Sequence, residues 1–232
     1  MRKLVFTAAI LVSFWVPLLA GPGARSAEPG DPAYSQAAKP VQNASLKSRL
    51  AIEAGNKLRE KQDFPAALRA YQNAIRLQPE NSNAWFYLGI AYVNMDRFDE
   101  ARVSFKKSVL HAPDDPAKWM GLCLSNYLIG DFHSVITSCK ETVRLDPQQA
   151  DGWAWLGLGY AHADQLEKSL RCLEIAASLN TNSTEAWYTL GMRYARLGVR
   201  SKVLDVYRHL QDLDPAQARK FLNLVVSPKF RG

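Results

Sequence analysis

Trp85, Leu88 and Tyr92 lie three and four positions apart, the spacing that gathers apolar side chains on one face of a helix. Ala101, Phe105 and Ser108 repeat those spacings further on and predict a second helix. Small residues at Gly89, Ala101 and Ser108 allow the two helices to pack closely and antiparallel. Boundary residues agree with this reading. Asp63 stands just ahead of Pro65 and Asp115 ahead of Pro116, as at capped helix starts. Pro79, Pro113, Pro147 and Pro215 end second helices, because proline cannot continue one.

The pattern recurs with a fixed period. Trp85, Trp119, Trp153 and Trp187 are each 34 residues apart, and the four prolines fall on the same grid, with Thr181 in the missing place. A period of this size marks a solenoid. Phased from Ser48, the units are 48–81, 82–115, 116–149, 150–183 and 184–217, without insertion or deletion. Beyond them Ala218, Phe221, Leu222 and Val225 form one apolar stripe that Pro228 stops, so residues 218–232 are expected to hold a capping helix and tail.

These residues resemble the tetratricopeptide repeat family, whose unit is a helix–turn–helix with a W-L-G-Y, A-F-A-P pattern. Unit two carries it best, with Trp85, Leu88, Gly89, Tyr92, Ala101, Phe105 and Pro113. Unit one has Gly55, Ala67, Tyr71, Ala74 and Pro79, but Ala51 where Trp is expected, which makes it the other cap. Unit four has Trp153, Leu156, Gly157, Tyr160 and Ala176; unit five has Trp187, Leu190, Gly191, Tyr194, Tyr207 and Pro215. Unit three keeps only Trp119, Leu122 and Pro147. The resemblance covers residues 48–217 of 232. It implies an all-α, right-handed superhelical solenoid of antiparallel helix pairs with a C-terminal capping helix. Some members of the family grip a peptide's C-terminal carboxylate with Lys, Asn and Arg on first helices. Here only Asn56 stands in a matching place, while Ile52, Tyr87, Ala117 and Gly121 hold the others, so that clamp is not expected.

Ahead of the repeats the chemistry changes. Met1, Arg2 and Lys3 precede an uncharged run from Leu4 to Ala20, and the first acid is Glu28. A basic start, an apolar run and a small-residue exit describe a secretory signal over 1–27, either cleaved or kept as a membrane anchor. Residues 28–47 are poor in large apolar side chains and read as a flexible linker. The expected location is therefore exported, periplasmic or extracellular, with inner-membrane anchoring if the segment is retained.

Export alters the meaning of the charge. The whole chain has 29 bases and 22 acids; loss of Arg2, Lys3 and Arg25 leaves 26 bases, a surplus of four spread thinly. Nucleic acid is not an expected partner, because no basic cluster is present to neutralise phosphates.

In a stack of helix pairs the first helices line the concave face. The positions opposite the Trp-Leu-Tyr stripe give a candidate peptide-binding groove of Asn56, Phe86, Tyr87, Ile90, Met120, Leu124, Tyr127, Trp155, Leu158, Tyr188 and Met192. Ile52 extends it as well, and Arg49, Arg59, Asn94, His162 and Arg196 add polar groups toward the ends. Such an apolar strip fits a protein or peptide partner held by aromatic anchors, Tyr87 and Trp155 foremost. The chain thus reads as an exported, non-enzymatic interaction module, an adaptor or assembly factor. The alternative is a self-associating scaffold subunit, a homo-oligomer whose copies cover the strip.

Catalytic signals are missing. His111, His133, His162 and His209 occur singly, and neither a paired-histidine helix motif nor a phosphate-binding glycine loop is present, so no metal or cofactor is expected. Cys123 and Cys139 face each other across the two predicted helices of unit three. The expected state is a pair of small buried thiols, with a bridge as the alternative in an oxidising compartment. Cys172 is expected to be buried and unpaired.

Overall fold

The structure, a computed structural model, describes residues 32–226, with side chains from residue 43 onward. The segment 1–27 expected as a signal, and the tail with Pro228, lie outside the described residues. Eleven α-helices and no strands occur among the described residues. They are α1 (Pro32–Glu60), α2 (Phe64–Leu77), α3 (Ser82–Val93), α4 (Phe98–His111), α5 (Pro116–Ile129), α6 (Phe132–Leu145), α7 (Ala150–His162), α8 (Leu166–Leu179), α9 (Thr184–Arg196), α10 (Arg200–Leu213) and α11 (Pro215–Val226). From Asn43 on, they form an all-α solenoid of five antiparallel pairs followed by one further helix, each helix packing on the next.

One boundary differs from expectation. The linker read over 28–47 is helical from Pro32, continuous with the first helix of unit one. Over 43–47 this extension buries none of its side chains. It is a solvated prolongation of a helix anchored further on, where Ser48 is buried and donates to the Ala74 carbonyl at 3.0 Å.

Helix starts are set by side chains. Asp63 accepts from the Ala66 amide, Asn81 from Asn83 and Ala84, Asp115 from Ala117, Asp131 from Ser134 and Ser183 from Ala186. Each satisfies a donor that the first turn leaves unpaired. The turn inside each pair uses one left-handed residue, at Gln62, Asp96, Gly130, Asp164 and Gly198, with φ of 61°, 57°, 85°, 54° and 71°. These five are 34 residues apart in turn, so a backbone conformation repeats where residue type does not.

The Trp and Pro periodicities meet in a single contact. Each indole Nε1 donates to the carbonyl six residues earlier: Trp85 to Pro79 at 2.7 Å, Trp119 to Pro113 at 2.7 Å, Trp153 to Pro147 at 2.8 Å and Trp187 to Thr181 at 2.9 Å. The four rings are half-buried rather than enclosed, each against one core cluster with its polar edge outward. They clasp the loop between one pair and the next.

Within pairs, a large side chain of the second helix fills the space that a glycine leaves on the first. Tyr71 and Phe105 are buried against Gly55 and Gly89, where an added Cβ would come within 2.5 Å and 2.7 Å of their rings. Leu173 fills the same place against Gly157. In unit three the equivalent positions are Cys123 and Cys139, and they are bridged, with Cα atoms 5.4 Å apart. The expected pair of thiols is thereby corrected: helices this close bring the two Cβ atoms within disulfide reach. Unit five departs differently. Val206 of α10 and Phe221 of α11 crowd Gly191, and Tyr207 instead lines a hollow between α10 and α11.

Candidate functional site

All eleven groove candidates lie on first helices, α1, α3, α5, α7 and α9, and all are half-buried. They fall into three groups with different surroundings.

The N-terminal group is drawn into the core. Asn56 Oδ1 accepts from the Tyr71 hydroxyl at 2.8 Å, and Tyr71 stacks on Tyr87 with centroids 5.9 Å apart. Phe86 meets Tyr87 at 5.7 Å and Phe105 at 5.6 Å, both edge to face. Ile90 packs beside Phe105 and Leu122. Burial pushes the Tyr71 phenol above its ordinary range, against the pull of the nearby Arg59 cation. Asn56 is thus committed to holding a buried hydroxyl.

The central group is more open. Tyr127 and Trp155 meet edge to face at 4.8 Å, and Tyr127 also approaches Phe132 and His162 at 5.9 Å each. His162 lies flat on Phe132 at 4.0 Å. Leu124 precedes Tyr127 by one turn of α5, and Met120 leans toward Gly152 at the start of α7. Trp155 and Leu158 line a cleft of about 110 Å³ between α7 and α9, with Ala154 and Thr189 on its walls and Asp151 and Glu185 at its rim. Leu173 and Ala176 of α8, both buried, form its floor.

The C-terminal group is partly spent on the cap. Tyr188 meets Phe221 of α11 at 5.8 Å, and Met192 packs on the same cluster. The candidates therefore do not make one continuous exposed strip. Trp155 and Leu158 come together at an opening, whereas Phe86, Tyr87 and Tyr188 are engaged by neighbouring rings.

Of the residues lining the cleft, only Trp155 and Leu158 were groove candidates; Asp151, Ala154, Glu185 and Thr189, all on first helices, are among those the sequence reading passed over. Asp151 and Glu185 occupy the same place one period apart, which is a usable signal. Arg193 was missed as well. It is half-buried on α9, its Nε has no hydrogen-bond partner, and burial followed by the charge of Arg196 lowers its pKa, while Tyr127 acts the other way. No ion pair among the described residues includes Arg193 or Arg196.

No group of three or more His, Cys, Asp or Glu side chains gathers among the described residues. Cys172 is buried and its thiol is pushed up to about 11, so it stays protonated. No helix of the described residues is long and apolar enough to cross a membrane.

The TPR repeat model matches residues 55–96 and the tetratricopeptide repeat model residues 82–115. With five helix pairs on one period, the chain is a tetratricopeptide-repeat protein. No curated protein matches it in sequence. Among solved structures it is similar to the MamA protein, at 23% identity over 75% of this chain and 94% of that one, with TM-score 0.67. It is similar also to MamA from Desulfovibrio magneticus RS-1, at 19% identity over 74% and 97%, with TM-score 0.68. A third is YrrB, described as a TPR protein with an unusual peptide-binding site, at 19% identity over 81% and 96%, with TM-score 0.65. At these identities the likeness is one of fold.

Proposed function

We propose that this chain is an exported, non-enzymatic interaction module that captures a protein or peptide segment on its concave face, as an adaptor or assembly factor. The observation that carries the reading is the cleft beside Trp155, an opening among half-buried apolar side chains on first helices. A concave apolar site with a few polar groups at its rim is the usual form of a binding site. YrrB offers a precedent for peptide binding on the same fold. Two features support export: the basic, apolar and small-residue order of residues 1–27, and the Cys123–Cys139 bridge, which suits an oxidising compartment. Retention of the N-terminal segment would tether the module to the membrane.

A photo-crosslinking residue placed at Thr189 in the native host should trap a defined protein, while the same residue at the exposed Lys106 of α4 should not. Equal trapping at both sites, or none at Thr189, would remove the concave face from the account. Export is tested by fractionation and by the mass of the mature N-terminus, expected after Ala20, Ala24 or Ala27.

A second reading, self-association, draws on the last helices. Leu204 and Leu222 are 47% and 38% exposed around the hollow between α10 and α11, and Leu224 of α11 is 40% exposed elsewhere on that helix. Light scattering at dilute concentration tests it; a monomer excludes it.

A further inference from the structure

We propose that the concave face of α7 and α9 recognises an extended acidic–apolar peptide, with a carboxylate on Arg193 and an apolar side chain two residues away in the Trp155–Leu158 cleft. This inference rests on the reading of the concave face as a binding surface and adds the chemistry of its occupant.

Arg193 is the starting point. Its guanidinium has given up part of its hydration, yet its Nε finds no acceptor among the described residues. A buried cationic donor left unpaired is costly, and the cost is relieved when an acceptor arrives. Arg196 lies three residues on and adds a second positive charge. Carboxylates do sit close to other cations of the chain, as in Arg97–Glu100 and Arg144–Glu141, but not here. The half-buried setting strengthens the attraction for an incoming anion relative to the same pair in open water.

Arg193 lies beyond the residues that line the cleft and is linked to it through named side chains. Tyr127 of α5 is near enough to influence Arg193, and Tyr127 touches Trp155, which lines the cleft. On α9 itself, Thr189 of the cleft wall stands four residues before Arg193 and so shares its face. Four residues of helix rise about 6 Å. In an extended peptide, side chains at i and i+2 point the same way and lie about 6.6 Å apart. The two subsites therefore match an Asp or Glu separated by one residue from a large aliphatic side chain.

The opposite rim sets the polarity and excludes a polyanion. Asp151 and Glu185 line the cleft away from Arg193 and repel a second acid, so the carboxylate is accepted at one end only. A nucleic acid would have to lay phosphates across both carboxylates.

The test uses the full chain against a displayed library of random dodecapeptides. Enriched sequences are then synthesised with blocked termini. The expected result is enrichment of Asp or Glu two residues from Leu, Ile or Met. Changing that acid to its amide in the peptide should weaken binding about tenfold at low salt, and less as salt rises. In the protein, Arg193→Gln should abolish the preference for the acid while leaving the apolar requirement intact. Leu158→Asp should abolish both. If enriched peptides bind at the cleft, lose affinity with Leu158→Asp, yet show no acid preference and no response to Arg193→Gln, the proposal is overturned and the binding-face reading stands. If binding ignores Leu158→Asp as well, both fall. The amide-substituted peptide is measured on the unmodified protein, so a misfolded variant cannot decide the outcome.

Discussion

Cys123 and Cys139 are bridged at the two positions where, one period earlier, Gly89 receives the ring of Phe105. A covalent link thus stands in unit three for a knob-and-hollow contact used in units one and two. The substitution explains how the most divergent unit stays in register. Its helices lack the aromatic knob, and the space between them holds a polar set, with Asn126 donating to Ser138 at 3.2 Å and Thr142 buried nearby.

Reduction should therefore weaken the middle of the stack. The bridge closes a sequence separation of 16, for which chain-entropy reasoning gives about 3 kcal/mol. Cys139→Ala should lower stability by a comparable amount, read as a lower melting temperature that reductant no longer changes. The double variant Cys123→Gly with Cys139→Phe should recover much of the loss, because it restores the contact of unit two. Failure of the double variant to exceed Cys139→Ala would show that the positions are not equivalent.

The indole clasps should carry a modest share of stability each. Trp119 is half-buried, so Trp119→Ala should cost about 2–3 kcal/mol, below the range for enclosed rings. Trp119→Phe keeps most of the packing and removes the bond to the Pro113 carbonyl, at a cost of about 1 kcal/mol. Urea midpoints of the two variants measure both terms.

Gln62→Gly should stabilise the first pair. Gln62 is exposed and held at φ 61°, a conformation that costs a side-chain-bearing residue about 1–2 kcal/mol, partly offset by the greater freedom of glycine in the unfolded chain. A net gain of about 0.5 kcal/mol is expected in thermal melting. Gly198→Ala, at φ 71°, should move the melting temperature the other way.

Cys172 gives a pH prediction. Its folded thiol titrates near 11 against an ordinary value of 9.0. Between those values the unfolded chain releases a proton that the folded chain keeps, so stability falls as pH rises from 9 toward 11. Cys172→Ser should flatten that stretch of the stability curve. At pH 8 the native chain should resist alkylation at Cys172, and the unfolded chain should react.

The fold was legible because its period is written in large side chains: Trp, Tyr and Pro recur where helices must pack, begin or stop. The turns were less legible. Gln62, Asp96 and Asp164 share a role with Gly130 and Gly198, and only their backbone angles show it. Helical offsets placed the eleven candidates on first helices but could not separate Tyr87, stacked on Tyr71, from Trp155, which borders an opening. That opening exists because Ala154 and Thr189 are small, and apolar patterning does not register missing bulk. Arg193 escaped notice because units two to four hold Ala91, Ser125 and Gly159 in its place, so the period carries no charge across them.

The recurring left-handed joint divides labour within the molecule. Chain reversal is settled by one peptide conformation per hairpin and by prolines at the seams, away from the inner wall. Where that wall opens, beside Trp155 and Leu158, side chains carry less of the scaffold than Asn56 or Tyr188 do, so specificity is free to be rewritten there, letter by letter, while the hairpins beneath keep their course.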